Sequence, residues 1–358
     1  ALGDQAVRSL QLAGPFWAMS DRLDDILVPT PDTCLTQLNP EPDDNGFWRG
    51  EVKHQLVWNP PCDSAEGDFA RWLYWGTSAD QSDPEANQET WRSPAGKFTA
   101  GTWMPISSWA HPTTVYTNPW EFLPHLHPRL KDDERHVADA GDNQGTLFLE
   151  NAVQLHPQTC LVYLSNLELE AGWYRFGGEG HLVELTQQAI APGSTLHTLL
   201  TQPLGRSFAT ITPALWGSNR LSQRYPAAWE PEALLTSRPQ PCRYRLGDQK
   251  DAAGNSVQRP GQPKRLSRGR YAVPAGSVYV LPEPFPAQHN TWQTWPDEWF
   301  PKEGPYLNRW GCGLALPLPT ALPSSAEPCL LYTSPSPRDS TLDLVCRLLL
   351  ENGGGGGG

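Results

Sequence analysis

Residues 145–169 read GTLFLENAVQLHPQTCLVYLSNLEL. Apolar side chains alternate in two runs, 147–155 and 160–169, and the turn formers HPQT join them. A period of two lays the apolar residues of each run on one side of an extended chain. The stretch therefore predicts two strands joined as a hairpin.

Further extended signals lie on both sides. Towards the N-terminus, residues 2–11 (LGDQAVRSLQ) suit a helix, and LAGPFWA (12–18) and ILVPTPDTC (26–34) suit extended chain. Residues 46–120 are polar and rich in Trp, Asp and Ser, with little clear periodicity, and are expected to be an irregular insertion. Residues 121–140 mix turn formers with a short helical pattern. Towards the C-terminus, AGWYRFGGEGHLVEL (171–185) sets a glycine cluster before another alternating run. Residues 186–200 suit a short helix or a loop, and TQPLGRSFATITPALWG (201–217) a strand entering a turn. YAVPAGSVYVLPEP (271–284) and LALPL (314–318) suit extended chain. Strands interspersed with helical segments predict an α+β fold.

Of the 358 residues, 38% are hydrophobic and 16 are Trp, enough for a sizeable core; 37 prolines keep the regular elements short. No run of eighteen apolar residues is present, so no membrane-spanning helix is expected. Residues 1–170 carry 10 Lys/Arg and 25 Asp/Glu, whereas residues 171–328 carry 15 and 11. That asymmetry suits a polyanion partner for the second half, and equally an acidic first half that keeps the chain dissolved. Cys34, Cys62, Cys160, Cys242 and Cys312 are scattered singly, with no CxxC pair and no His at ligand spacing. They suit neither a zinc site nor a disulfide framework, and they fit a reducing cytoplasm.

Residues 329–358 are expected not to be natural protein. CLLYTSPSPRD (329–339) is a translation of the transposase-end adapter used in sequencing libraries. LVCRLLLEN (344–352) is a translation of the flow-cell adapter tail, and six glycines follow it as a poly-G read would. The chain opens without Met, inside a helical pattern, so a natural start is also expected to be missing.

Three stretches suit polyanion chemistry. Gly177, Gly178 and Gly180 leave backbone N–H groups open to a phosphate, or form a plain hairpin turn. In NRWGCG (308–313), Arg309 can meet a phosphate and Trp310 can stack on a base, while Gly311 and Gly313 permit close backbone approach or a simple turn. From 242 to 270 the chain holds eight Lys/Arg against two Asp, with Lys264, Arg265, Arg268 and Arg270 crowded together. Such a segment suits phosphate contacts or a solvated loop. His125, His127 and His136 lie near acidic residues, but Pro124 and Pro128 break the segment, and a structural role is expected. No catalytic residue, metal ligand or cofactor is assigned. A Gly-x-Ser-x-Gly elbow and a P-loop are absent from the sequence.

Taken in order, LQLAGPFWA and ILVPTPD, HLHPRLKDDERHVAD with GTLFLENAVQL, RFGGEGHLVEL, LGRSFATITPALW, RYAVPAGSVYVL and GCGLALPL resemble the Cmr subunit-three family of type III-B CRISPR effectors, RAMP proteins. The resemblance spans most of residues 2–319. It implies two ferredoxin-like (RRM-like) units with long irregular insertions: residues 1–170, truncated at the start and carrying the Trp-rich insertion 46–120, and residues 171–328. It also implies a non-catalytic subunit that contacts the 5′ handle of the guide RNA (crRNA). Its protein partners would be the large polymerase-like cyclase subunit and the backbone RAMP subunits. Carried onto this sequence, the glycine loops fall on Gly177, Gly178, Gly180, Gly311 and Gly313. Arg175, Arg206, Arg220 and Arg309 become phosphate ligands beside them. A type III-D RAMP subunit is a near alternative. From composition alone, a secreted Trp-rich carbohydrate-active enzyme is another.

Overall fold

The computed structural model describes residues 9–44, 46–59, 71–77, 87–131, 136–137, 146–176, 181–217, 222–243, 266–303 and 305–319. The first half contributes β1 (Leu12–Met19), β2 (Arg22–Pro29), β3 (Cys34–Leu38), β4 (Arg49–Gln55), β5 (Val57–Trp58), β6 (Trp72–Gly76) and β7 (Thr90–Arg92). There follow β8 (Trp103–Pro105), β9 (Thr114–Tyr116), β10 (Trp120–Pro128), β11 (Leu147–Leu155) and β12 (Thr159–Ser165). The second half holds β13 (Gly172–Phe176), β14 (His181–Leu185), helix α1 (Thr195–Thr201), β15 (Ser207–Thr210), β16 (Ala233–Leu235), β17 (Gln240–Cys242), β18 (Arg270–Ala272), β19 (Val278–Val280) and β20 (Ala315–Pro317).

Two antiparallel sheets make the frame. A seven-stranded sheet runs β12-β1-β2-β8-β9-β4-β3, and a four-stranded sheet runs β16-β19-β15-β20. Between them lies a core of Phe16, Ile26, Val28, Met104 and Val115 from the first sheet and Ala209, Val278, Leu314 and Leu316 from the second. Helix α1 adds Leu196 and Leu199, three residues apart on one helix face. The Ser194 hydroxyl accepts from the His197 N–H to cap its start. Pro203, just past its end, cannot continue it. The core joins residues from both sides of position 170.

The four-stranded sheet is buried on both faces, and its alternation shows this directly. Ala209, Val278, Leu314 and Leu316 face the larger sheet, while Phe208, Tyr279 and Ala315 face a second, aromatic cluster. That cluster gathers Trp216, Trp229, Trp295, Phe300, Phe285 and Trp299 around Phe208. Phe208 is fully buried and lies 5.4–5.7 Å from the rings of Tyr279, Trp229, Trp295 and Phe285. Such contacts reward edge-on and offset packing as well as burial. Three polar tips inside it are paired: the Trp216 indole donates to the Tyr279 hydroxyl (3.1 Å), which donates to the Arg224 carbonyl (2.7 Å), and the Trp295 indole donates to the His289 carbonyl (3.1 Å), while the Trp229 indole N–H is buried with no partner. Many of the tryptophans are thus core packing. Truncating Phe208 to Ala would cost about 3–5 kcal/mol.

The α+β, ferredoxin-like expectation is overturned. Strands in small antiparallel sheets dominate, and α1 is the one complete α-helix among the described residues. A ferredoxin-like unit needs helices long enough to cover a sheet face. Here proline-bounded segments and short 3-10 turns fill that place, as at Ala287–His289, Trp292–Thr294 and Asp297–Trp299.

Two finer expectations are also corrected. Strands β11 and β12 form where alternation places them, but not as a hairpin: β11 pairs with β10, and β12 with β1. The turn at His156 carries the chain from one ladder to another. The His156 N–H donates to the Pro119 carbonyl (2.9 Å), and the Thr159 N–H donates to the His156 carbonyl (3.0 Å). The described residues of 46–120 are not all irregular, since β4, β8 and β9 are interior strands of the seven-stranded sheet. Among the described residues, no helix is long and apolar enough to cross a membrane.

Candidate functional site

One open cavity of about 330 Å³ gathers residues that sequence reading singled out for ligand chemistry. It is lined by Leu10, Leu12, Gly14, Tyr163, Arg309 and Trp310. Three segments build it. Strand β1 supplies Leu12 and Gly14, with Leu10 just before it. Its neighbour β12 supplies Tyr163, and the 3-10 turn Leu307–Trp310 supplies the Arg-Trp pair.

The local chemistry of β1 explains the opening. Its pairing with β12 shifts register between Ala13 and Phe16, across a cis Gly14–Pro15 bond. Gly14 has φ +138, and a β-carbon there would lie 2.9 Å from the Val162 carbonyl oxygen and 3.2 Å from the Tyr163 ring. Only glycine lets the strand pass so close to its neighbour at that backbone angle. Burial pushes the Tyr163 phenol up from its ordinary value.

The turn is held from two sides. The Asn308 amide donates to Asp297 (2.7 Å), and the Gly311 N–H donates to the Asn308 carbonyl (2.9 Å). Gly311 ends the turn in the left-handed region, φ 73 and ψ 14, pressed onto Ala13 of β1. Trp310 is left 53% exposed at the cavity. The cavity brings together an indole face, which suits a planar ring, a guanidinium, which suits an anion, and leucine side chains for apolar contact. A cavity at the lower end of the usual roughly 300–1,000 Å³ range suits a single nucleotide or base.

Of the other expected residues, those that are described do not line this cavity. Gly313 sits two residues beyond Gly311, where a β-carbon would meet the Trp216 ring at 2.9 Å; both glycines are accounted for by packing. Arg206 is engaged on the four-stranded sheet, its Nε donating to the Leu281 carbonyl (3.0 Å) and an Nη to Glu232 (2.9 Å). Arg270 is buried and pairs with Glu303 at 2.8 Å, while the Arg268 backbone N–H reaches the same carboxylate at 3.3 Å. Arg175 stands on the β13–β14 hairpin opposite Leu182, flanked along its own strand by exposed Trp173. Gly177, Gly178, Gly180, Arg220, Lys264 and Arg265 lie outside the described residues. His125 and His127 stack on β10 at 6.1 Å, and His127 meets Glu150 at 3.3 Å. Among the described residues, no three His, Cys, Asp or Glu side chains gather as a metal site.

Sequence reading missed Leu10, Leu12, Gly14 and Tyr163. A signal existed for one of them: Gly-Pro inside the apolar run LAGPFWA marks a bulge in a strand. Compared with protein-family models and with curated proteins, the chain has no match.

Proposed function

We propose that this chain is a non-catalytic guide-RNA-binding subunit of a type III-B CRISPR effector that holds the single-stranded 5′ handle of the guide. The observation that carries the reading is the meeting of Arg309 and Trp310 with Tyr163 in one open, apolar-walled cavity. Single-stranded RNA is held by splayed bases stacked on aromatic rings, with cations on the backbone. An exposed indole next to a guanidinium supplies both. The sequence motifs that resemble the Cmr subunit-three family supply the rest of the reading, including its protein partners, the large polymerase-like cyclase subunit and the backbone RAMP subunits. The ferredoxin-like frame forms no part of it. Cys34, Cys160, Cys242 and Cys312 are free thiols, the state that a reducing cytoplasm maintains.

Co-expression with the large subunit and a guide RNA tests the reading. The wild-type chain should copurify with guide RNA that keeps an intact 5′ end, and Trp310→Ala with Arg309→Ala should lose that RNA while retaining the large subunit. Copurification of the large subunit with a wild-type chain that crosslinks to no RNA would make the chain a protein scaffold instead.

A further inference from the structure

The hairpin β10–β11 shows an unusual edge. Its ladder pairs Trp120 with Leu155 at one end and Pro128 with Leu147 at the other. At the two ends, the His156 N–H donates to the Pro119 carbonyl and the Arg129 N–H to the Thr146 carbonyl. Antiparallel bonding alternates, so the even-numbered residues of β11 turn their backbone groups towards β10. The N–H and C=O groups of Leu147, Leu149, Asn151, Val153 and Leu155 therefore point to the far side. Among the described residues, no strand pairs with that side.

The two outer edges of the hairpin differ. On β10, Pro124 and Pro128 stand at the outward-pointing positions and remove donors, which is how natural edges block further pairing. On β11, LFLENAVQL holds no proline and one charged residue, Glu150. The face shared by the two strands is apolar and solvent-facing: Phe122 is 66% exposed, Leu126 63%, Leu149 63% and Val153 54%. A two-stranded ribbon with such a face is marginal in water and gains from further strands.

We infer that β11 is a homodimerisation edge, at which two copies of this chain pair β11 with β11 antiparallel about a two-fold axis at Asn151. The self-complementarity of this strand favours a second copy over a foreign strand. In that register Leu147 faces Leu155 of the other copy and Leu149 faces Val153, all on the apolar face. Asn151 meets Asn151 at the axis, and the outward groups pair with none left over, giving about ten hydrogen bonds. The net charge of −12 would ordinarily oppose self-association. Glu150, however, falls opposite the neutral Ala152, and His127 lies 3.3 Å from its carboxylate within each hairpin. The resulting four-stranded sheet, β10-β11-β11-β10, ends in proline-bearing edges on both sides and so stops at two copies. This inference does not depend on RNA binding.

The test is sedimentation of the full chain without RNA, across a dilution series. The wild type should reach twice the 39.7 kDa of one chain. Asn151→Glu and Asn151→Lys each place like charges at the axis and should weaken the dimer by about two- to fivefold. An equimolar mixture of the two variants should restore it as a heterodimer. Asn151 is exposed in the single chain, so at dilutions where the wild type is monomeric both variants should melt as it does. A wild type that stays at one chain's mass throughout would overturn the inference. So would variants that dimerise unchanged, or folded variants whose mixture stays monomeric. Should either variant fold poorly, amide exchange on the wild type decides: protection of Leu149, Asn151 and Val153 should rise with concentration, and its independence of concentration would overturn the dimer.

Discussion

Gly311 and Ala13 are in such close contact that a β-carbon on the glycine would lie 2.3 Å from the Ala13 α-carbon. The turn that carries Arg309 and Trp310 is thereby seated on β1, the strand whose bulge opens the cavity. Gly311→Ala combines a left-handed backbone angle with a clash against backbone, and should destabilise by about 3 kcal/mol or more. Gly101→Ala is the comparison: it has φ +71 but open space around it, and should cost only about 1–2 kcal/mol. Urea unfolding of both variants checks the difference.

Arg270 and Glu303 form an ion pair with side chains only 5% and 11% exposed. Removing one partner strands a buried charge. Arg270→Met should cost about 3–5 kcal/mol, whereas Arg270→Met with Glu303→Leu should recover most of that loss. Equal loss in the single and double variants, measured by chemical denaturation, would show that the charges are not the source.

Asp32 gives the fold a pH dependence. Its backbone N–H donates to the Gly276 carbonyl at 2.7 Å, tying the β2–β3 corner to the turn before β19. Burial pushes its carboxyl from 3.8 up to about 7, against a smaller opposing effect of the Ser237 backbone. The folded chain therefore binds a proton that the unfolded chain has released, between about pH 4 and pH 7. This contribution to stability is full below the unfolded value, falls as pH rises through that window, by up to about 1.4 kcal/mol per unit, and levels off above pH 7. Asp32→Asn should remove this slope and raise stability at pH 7.5 relative to the wild type, as thermal melts at pH 5 and pH 7.5 would show.

The alternation in 147–155 and 160–169 was enough to locate β11 and most of β12, because a period of two is a local property. Their partners were not legible: β12 joins β1 across Ala18 and Cys160, far apart in sequence, and alternation tells which face is buried but not which neighbour covers it. Strands of three residues such as β7, β8 and β9 are too short to show a period, so the Trp-rich region read as irregular. The same limit applies to the cavity. Arg309 and Trp310 are adjacent in sequence and could be paired on sight, whereas Tyr163 and Gly14 reach them only through the β1–β12 ladder.

Handle recognition by Arg309 and Trp310 is measured by equilibrium binding of a labelled single-stranded RNA carrying the handle, followed by fluorescence anisotropy over a salt series. Trp310→Ala should weaken binding by about 1–3 kcal/mol at every salt concentration. Arg309→Ala should lower the slope of log affinity against log salt by about 0.7. Equal affinity and equal slope in the wild type and both variants, with folding intact, would contradict that recognition.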